Sequence, residues 1–187
     1  MNRSDTYSMF YIAILCPDRI NERVGKMKLW MKKEFGCVVA MKSPAHITIV
    51  PPFWMANAKQ EELRKVFESF RSAIEEVVIN LSGFGHFHKK VLFVNVTENL
   101  LLTEFKKEAE SYFVRHFGSE IKKDDRAFHP HITVATRDVR PSAFTSAWSY
   151  FSTMELEESF TTSSLSLLKL EPGEWKILST INWRPGV

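Results

Sequence analysis

The sequence predicts an α+β fold of two related lobes around a central cleft, and three observations carry that prediction. The pentapeptide His46-Ile47-Thr48-Ile49-Val50 returns as His131-Ile132-Thr133-Val134-Ala135. Each copy follows the same order of patterns, an apolar strand and then an amphipathic helix. The 187 residues, 44% of them hydrophobic, suffice for a substantial core, and no low-complexity linker divides the halves. One compact unit over residues 1–187 is therefore expected, with a cleft between pseudo-symmetric lobes.

Residues 7–15 are aromatic and β-branched and stop at Cys16-Pro17, the pattern of a buried strand ended by proline. Asp18 is a candidate cap for the helix that follows. Its apolar stripe runs through Ile20, Val24, Met27, Met31 and Phe35, and Gly36 supplies the stop. The first motif strand comes next. Residues 57–74 carry Leu63, Val66, Phe67, Phe70 and Ile74 at helical spacing, and 77–81 reads as a strand before a turn around Gly83-Phe84-Gly85. Residues 91–96 form another strand. Leu101, Leu102, Phe105, Ala109, Tyr112 and Phe113 then mark a second amphipathic helix ending near Gly118, ahead of the second motif strand. A short helix over 141–151 and a closing hairpin of 160–170 with 175–183, turning at Glu171-Pro172-Gly173-Glu174, complete the chain.

Composition excludes several classes. A net charge of +3 is too mild for a protein that coats duplex nucleic acid, yet it allows a local basic cleft for an anionic substrate. No apolar run approaches a membrane span, and the polar start, Met1 to Tyr7, does not resemble a secretory signal, so a cytoplasmic location is expected. Cys16 and Cys37, without a CxxC pattern, read as reduced core thiols.

The repeated motif is where the chemistry lies. Strand alternation puts His and Thr on one face and the apolar residues on the other. Each lobe thus offers an imidazole that titrates near neutral pH and a hydroxyl that can bond an anion. Facing one another, the two copies make a phosphate site with His46 and His131 as catalytic acid and base, and Thr48 and Thr133 on the nonbridging oxygens. No compact carboxylate or cysteine set accompanies the histidines, so neither metal nor cofactor is expected. Phe53 and Phe128, each close to a motif, are candidates for stacking on a base, with core packing the alternative.

These residues resemble the two-histidine phosphoesterase superfamily, in its 2′-5′ RNA ligase-like and cyclic phosphodiesterase branch. The flanks of the motifs are similar too: Phe128-His129-Pro130-His131 approaches the second motif, Tyr11 to Pro17 opens the chain, and Pro51-Pro52 follows the first motif. The resemblance implies a bilobal fold with a mainly antiparallel sheet in each lobe. It implies metal-independent opening of a 2′,3′-cyclic phosphate, or cleavage of 2′-5′ linked nucleotides. It also implies His46 as acid to the leaving oxygen and His131 as base to water. RNA ends or small cyclic nucleotides would be the partners, with no obligate protein partner. Reversible 2′-5′ RNA ligation is the closest enzymatic alternative, and an inactive RNA- or nucleotide-binding module the alternative from another class.

Family members often carry an arginine directly after the small residue that ends the second motif. Here Thr136 stands there and Arg137 follows, a shift that changes faces unless a bulge intervenes. His129, by alternation, is expected opposite His131 in a peripheral role. His86 and His88 read as a solvated turn, His116 as a helix-end residue, and Lys122, Lys123, Arg126 and Arg137 as solvated charges.

Overall fold

The computed structural model describes residues 6–184. Residues 1–5, and with them most of the polar start considered above, lie outside that range. Among the described residues, eight strands form two four-stranded antiparallel sheets. In the first, the order is β2 (His46–Ala56), β1 (Tyr7–Leu15), β7 (Ser164–Glu171) and β8 (Glu174–Asn182). In the second it is β5 (His131–Thr136), β4 (Val91–Val96), β3 (Val77–Phe87) and β6 (Glu157–Thr162). Each motif strand is therefore an edge strand beside the strand that precedes it in its own repeat. The connecting helices, α1 (Asp18–Phe35) and α3 (Leu100–Phe117), have 18 residues each. The shorter α2 (Gln60–Ser69) and α4 (Pro141–Phe151) complete the set.

The long helices cross over. α1 packs against β5 and α3 against β2, so each repeat covers the motif strand of the other. One hydrophobic cluster consequently runs through both sheets, from Phe10, Ile12 and Ile14 through Ile47, Phe105 and Phe113 to Ile132 and Val134. The stripe of α1 is buried at Ile20, Val24, Met27 and Met31, as its spacing predicts. Gly36 ends that helix with φ +72°, and its N–H bonds Lys32. Asp18 does not cap it: Pro17 holds the cap position and the helix starts at Asp18 itself. Asn99 does cap α3, accepting from the Leu102 N–H. Both cysteines are free and buried. Among the described residues no helix is long and apolar enough to cross a membrane.

Three local expectations are corrected. Gly83 and Gly85 lie within β3, where Gly83, at φ +61°, accompanies a register shift between Leu81 and Phe84. The turn comes later, at His88 and Lys89, both left-handed, closed by the Lys90 N–H on the Phe87 carbonyl. The run that begins at Phe160 is two strands: β6 belongs to the second sheet, and the chain crosses at Ser163 into β7 of the first. The closing hairpin turns at Pro172-Gly173 with Gly173 at φ +87°, the residue order of a type II turn. Residues 57–74 are helical only in part, a 3₁₀ turn and then α2 ending at Ser69.

Candidate active site

The two motif strands are built alike to the level of a single residue. In both, the exposure pattern of the first five positions is the same, with His and Thr half-buried and the other three buried. Both bulge at the residue after the threonine. Thr48 pairs with Ala13 and Val50 with Ile12, leaving Ile49 unpaired. Thr133 pairs with Phe93 and Ala135 with Leu92, leaving Val134 unpaired. A bulge lets two successive apolar side chains enter the core while His and Thr keep the opposite face.

The imidazoles are held in the same way. His46 Nδ1 lies 2.8 Å from the Pro44 carbonyl, and His131 Nδ1 lies 2.7 Å from the His129 carbonyl. A carbonyl can only accept, so each Nδ1 carries the proton and each Nε2 is left with a lone pair. Burial pushes His46 down to about 4, against the bond to Pro44, with Lys28 and His131 lowering it further by their charge. His131 is also lowered, chiefly by burial. The two motif strands touch one another, and the charge of His131 is the smallest of the influences on His46. Thr48 and His131, from opposite sheets, line one cavity of about 470 Å³. Thr133 stands two residues after His131 on the same strand face, opposite Phe93.

Two aromatic rings pack against His131. Phe87 and Phe93 both lie 5.0 Å from its ring, one edge-on and the other tilted. Room for Phe93 exists because residue 85 is glycine: a Cβ there would stand 2.5 Å from the Phe93 ring and 2.5 Å from Asn95 Oδ1. On the other side, Tyr11 lies 4.9 Å from the His46 ring and 4.5 Å from Trp175. The Tyr11 hydroxyl is buried with no hydrogen-bond partner, and burial raises its pKa well above the ordinary value. Ser43 is close enough to oppose that rise without making a bond of normal geometry.

Other sequence-based expectations are redistributed. Phe53 is 5% exposed and stacks on Phe10 in the core, because its strand position faces inward, so it is not a surface on which a base can stack. Phe128 is half-buried, lines the cavity with His131, and has the Lys106 ammonium 6.0 Å from its ring centre. His129 is not opposite His131: β5 begins at His131, so alternation does not reach back across Pro130, and both rings contact Phe87 and Phe93. His88 joins that cavity from the β3–β4 turn, whereas His86 packs against Phe144 and Trp148. Arg126 lines it as well, paired with Asp124. The bulge at Val134 returns Thr136, and not Arg137, to the side of Thr133, while Arg137 leaves the strand exposed at φ +63°. Among the described residues no group of three His, Cys, Asp or Glu side chains is placed to hold a metal ion.

The family model of the 2′-5′ RNA ligase superfamily matches residues 16–174, a span that includes both motifs. The chain belongs to the 2′-5′ RNA ligase superfamily. Solved structures share this superfamily fold across almost the whole chain. TT0787 of Thermus thermophilus has 15% identity and a TM-score of 0.64, covering 94% of this chain and 98% of that one. E. coli LigT in apo form has 16% identity and a TM-score of 0.62, with 96% and 99% covered. LigT complexed with 3′-AMP has 18% identity and a TM-score of 0.63, with 94% and 97% covered. By sequence, no curated protein matches significantly. Superfamily membership makes the two-histidine phosphoesterases the reference for this site.

Proposed function

We propose that the chain is a metal-independent phosphodiesterase, acting as one unit in the cytoplasm on 2′,3′-cyclic phosphate ends or 2′-5′ linked nucleotides. The observation that carries this reading is that the two motif histidines, on strands of opposite sheets, are held in the same way, each donating Nδ1–H to the carbonyl two residues before it. Ring opening needs two proton transfers on opposite sides of phosphorus. One imidazole takes a proton from water as its oxygen bonds to phosphorus; the other gives a proton to the sugar oxygen as its bond to phosphorus breaks. Thr48 and Thr133 hold the nonbridging oxygens, and the protonated imidazole offsets the charge that develops on them. E. coli LigT, which shares this fold, forms a complex with 3′-AMP, and a nucleotide ligand of that kind agrees with the substrate class proposed for this chain.

The superfamily name favours a second reading, 2′-5′ RNA ligation, in which a ribose hydroxyl replaces water and the same four side chains act. The deciding assay is turnover of a nucleoside 2′,3′-cyclic phosphate in the presence of chelator. Ring opening is expected, and His46→Ala and His131→Ala are each expected to lose at least about 10²-fold with circular dichroism unchanged. The double variant should lose less than the product of the single losses, because the two groups serve one transfer. Loss of activity on chelation with recovery on adding a divalent ion would exclude this mechanism. Nucleotide binding without turnover would leave a binding module.

A further inference from the structure

A second cavity, of about 440 Å³, adjoins the start of β2, where Pro44, two residues before His46, is part of its lining. Its walls come from α1, from residues 41–44 and from the start of β8, and they include Lys28, Ser43, Pro44 and Trp175. It touches the candidate active site through two routes. Pro44 supplies the carbonyl that fixes His46, and Trp175 packs on Tyr11, which packs on His46.

Lys28 is the unusual group here. It sits on the buried stripe of α1, four residues after Val24 and three before Met31, and is only 6% exposed. Its ammonium has three donors and uses one, on the Ser43 carbonyl at 2.9 Å. No carboxylate pairs with it among the described residues. The contrast with Lys106 is direct. That lysine is equally buried, on α3 and beside the other cavity, but Glu110 holds it at 2.8 Å. A buried cation without a counter-ion is costly, and the cost is offset when an anion occupies the space beside it. Burial pushes Lys28 down to about 8, which leaves it mostly charged at neutral pH. Lys42 and Lys176 add exposed charge at the rim; Glu174 also lines it, paired with Lys176 at 2.6 Å.

We propose that this cavity receives a second phosphate group of the substrate, held by Lys28, so that the chain acts on nucleotides bearing a phosphate besides the reacting one. The inference rests on the two-histidine reading of the neighbouring site. The second phosphate can be the preceding internucleotide phosphate of an RNA end or the 5′-phosphate of a mononucleotide, and the same ammonium serves both.

The test compares three substrates with the wild-type protein and Lys28→Met: adenosine 2′,3′-cyclic phosphate, its 5′-phosphorylated form, and a diadenylate ending in the cyclic phosphate. The wild type is expected to favour at least one phosphate-bearing substrate by about tenfold in kcat/KM, the worth of a charge-assisted hydrogen bond. Lys28→Met is expected to bring that ratio within about twofold. Which substrate shows the preference identifies the source of the phosphate. Calorimetric binding of adenosine 3′,5′-bisphosphate against 3′-AMP gives the same ratio without turnover, so it stays readable if the catalytic reading fails. Lys28→Gln repeats the comparison should the Met variant not fold. Absence of a preference in the wild type, or a preference that survives removal of the ammonium, overturns the proposal.

Discussion

At the scale of single residues, the site is defined by where its protons are. Each motif histidine is locked as the Nδ1–H tautomer, and burial holds both below the ordinary imidazole value, His46 at about 4. At neutral pH the free protein therefore has both imidazoles neutral, while acid–base opening of a diester requires one charged and one neutral. The role that resemblance gives His46, acid to the leaving oxygen, is then available only if a proton arrives with the substrate. A phosphate anion supplies the reason, since an opposite charge a few ångströms away raises the imidazole pKa. Between the free-state and bound-state pKa values the complex holds more protons than the free protein, so affinity must rise as pH falls through that interval. A slowly cleaved 2′,3′-cyclic phosphorothioate, a diester whose charge does not titrate there, should bind with net proton uptake. Calorimetry in buffers of different ionisation enthalpy reads that uptake; binding without it, at an affinity independent of pH, contradicts the scheme.

At the scale of elements, the motif strands work because helix, bulge and glycine each relieve a conflict that alternation alone would create. The bulge after each threonine lets Ile49-Val50 and Val134-Ala135 enter the core in pairs. Gly85 lets β3 approach Phe93, and through Phe93 it positions His131. Gly85→Ala is expected to force Phe93 into His131, destabilising the fold by about 1–3 kcal/mol and lowering turnover by more than the loss of folded protein explains. Thermal melts and kcat measured together check this; full activity in a stable variant would show that Phe93 does not position the imidazole. The sequence made the long helices and most strands legible because apolar residues recur at the period of each element. It hid the β3–β4 turn, because Lys89 in a left-handed conformation has no glycine to mark it and Gly83-Phe84-Gly85 offers a false signal. It also hid the break between β6 and β7, because an apolar run does not record a change of sheet. The His/Thr quartet was visible through duplication. Lys28 was signalled only as a cation inside an apolar helical stripe, and Tyr11 only as an aromatic on the face of β1 shared with Ala13 and Leu15.

At the scale of the whole molecule, the crossed packing of the long helices decides how the cleft is held together. A helix that covered only its own sheet would leave two separable lobes joined at the motif edges. Here α1 lies against β5 and α3 against β2, so unfolding either repeat uncovers the motif strand of the other. Polar contacts follow the same plan: Glu158 on β6 accepts from Arg19 and Arg23 of α1, and Asp138 after β5 accepts from the Val38 and Val39 N–H groups. Trp183, at the end of the first sheet and fully buried, packs tilted with its ring centre 4.1 Å from that of Phe105 of α3, and it donates to the Ile74 carbonyl. Such a molecule should unfold in one step, with tryptophan fluorescence and far-ultraviolet circular dichroism giving the same midpoint. Phe105→Ala, which opens a cavity under Trp183, is expected to cost about 3–5 kcal/mol and to lower both midpoints equally. If the probes separate, one sheet retains its fold without the other, and the paired histidines depend on a hinge between lobes instead of on a shared core.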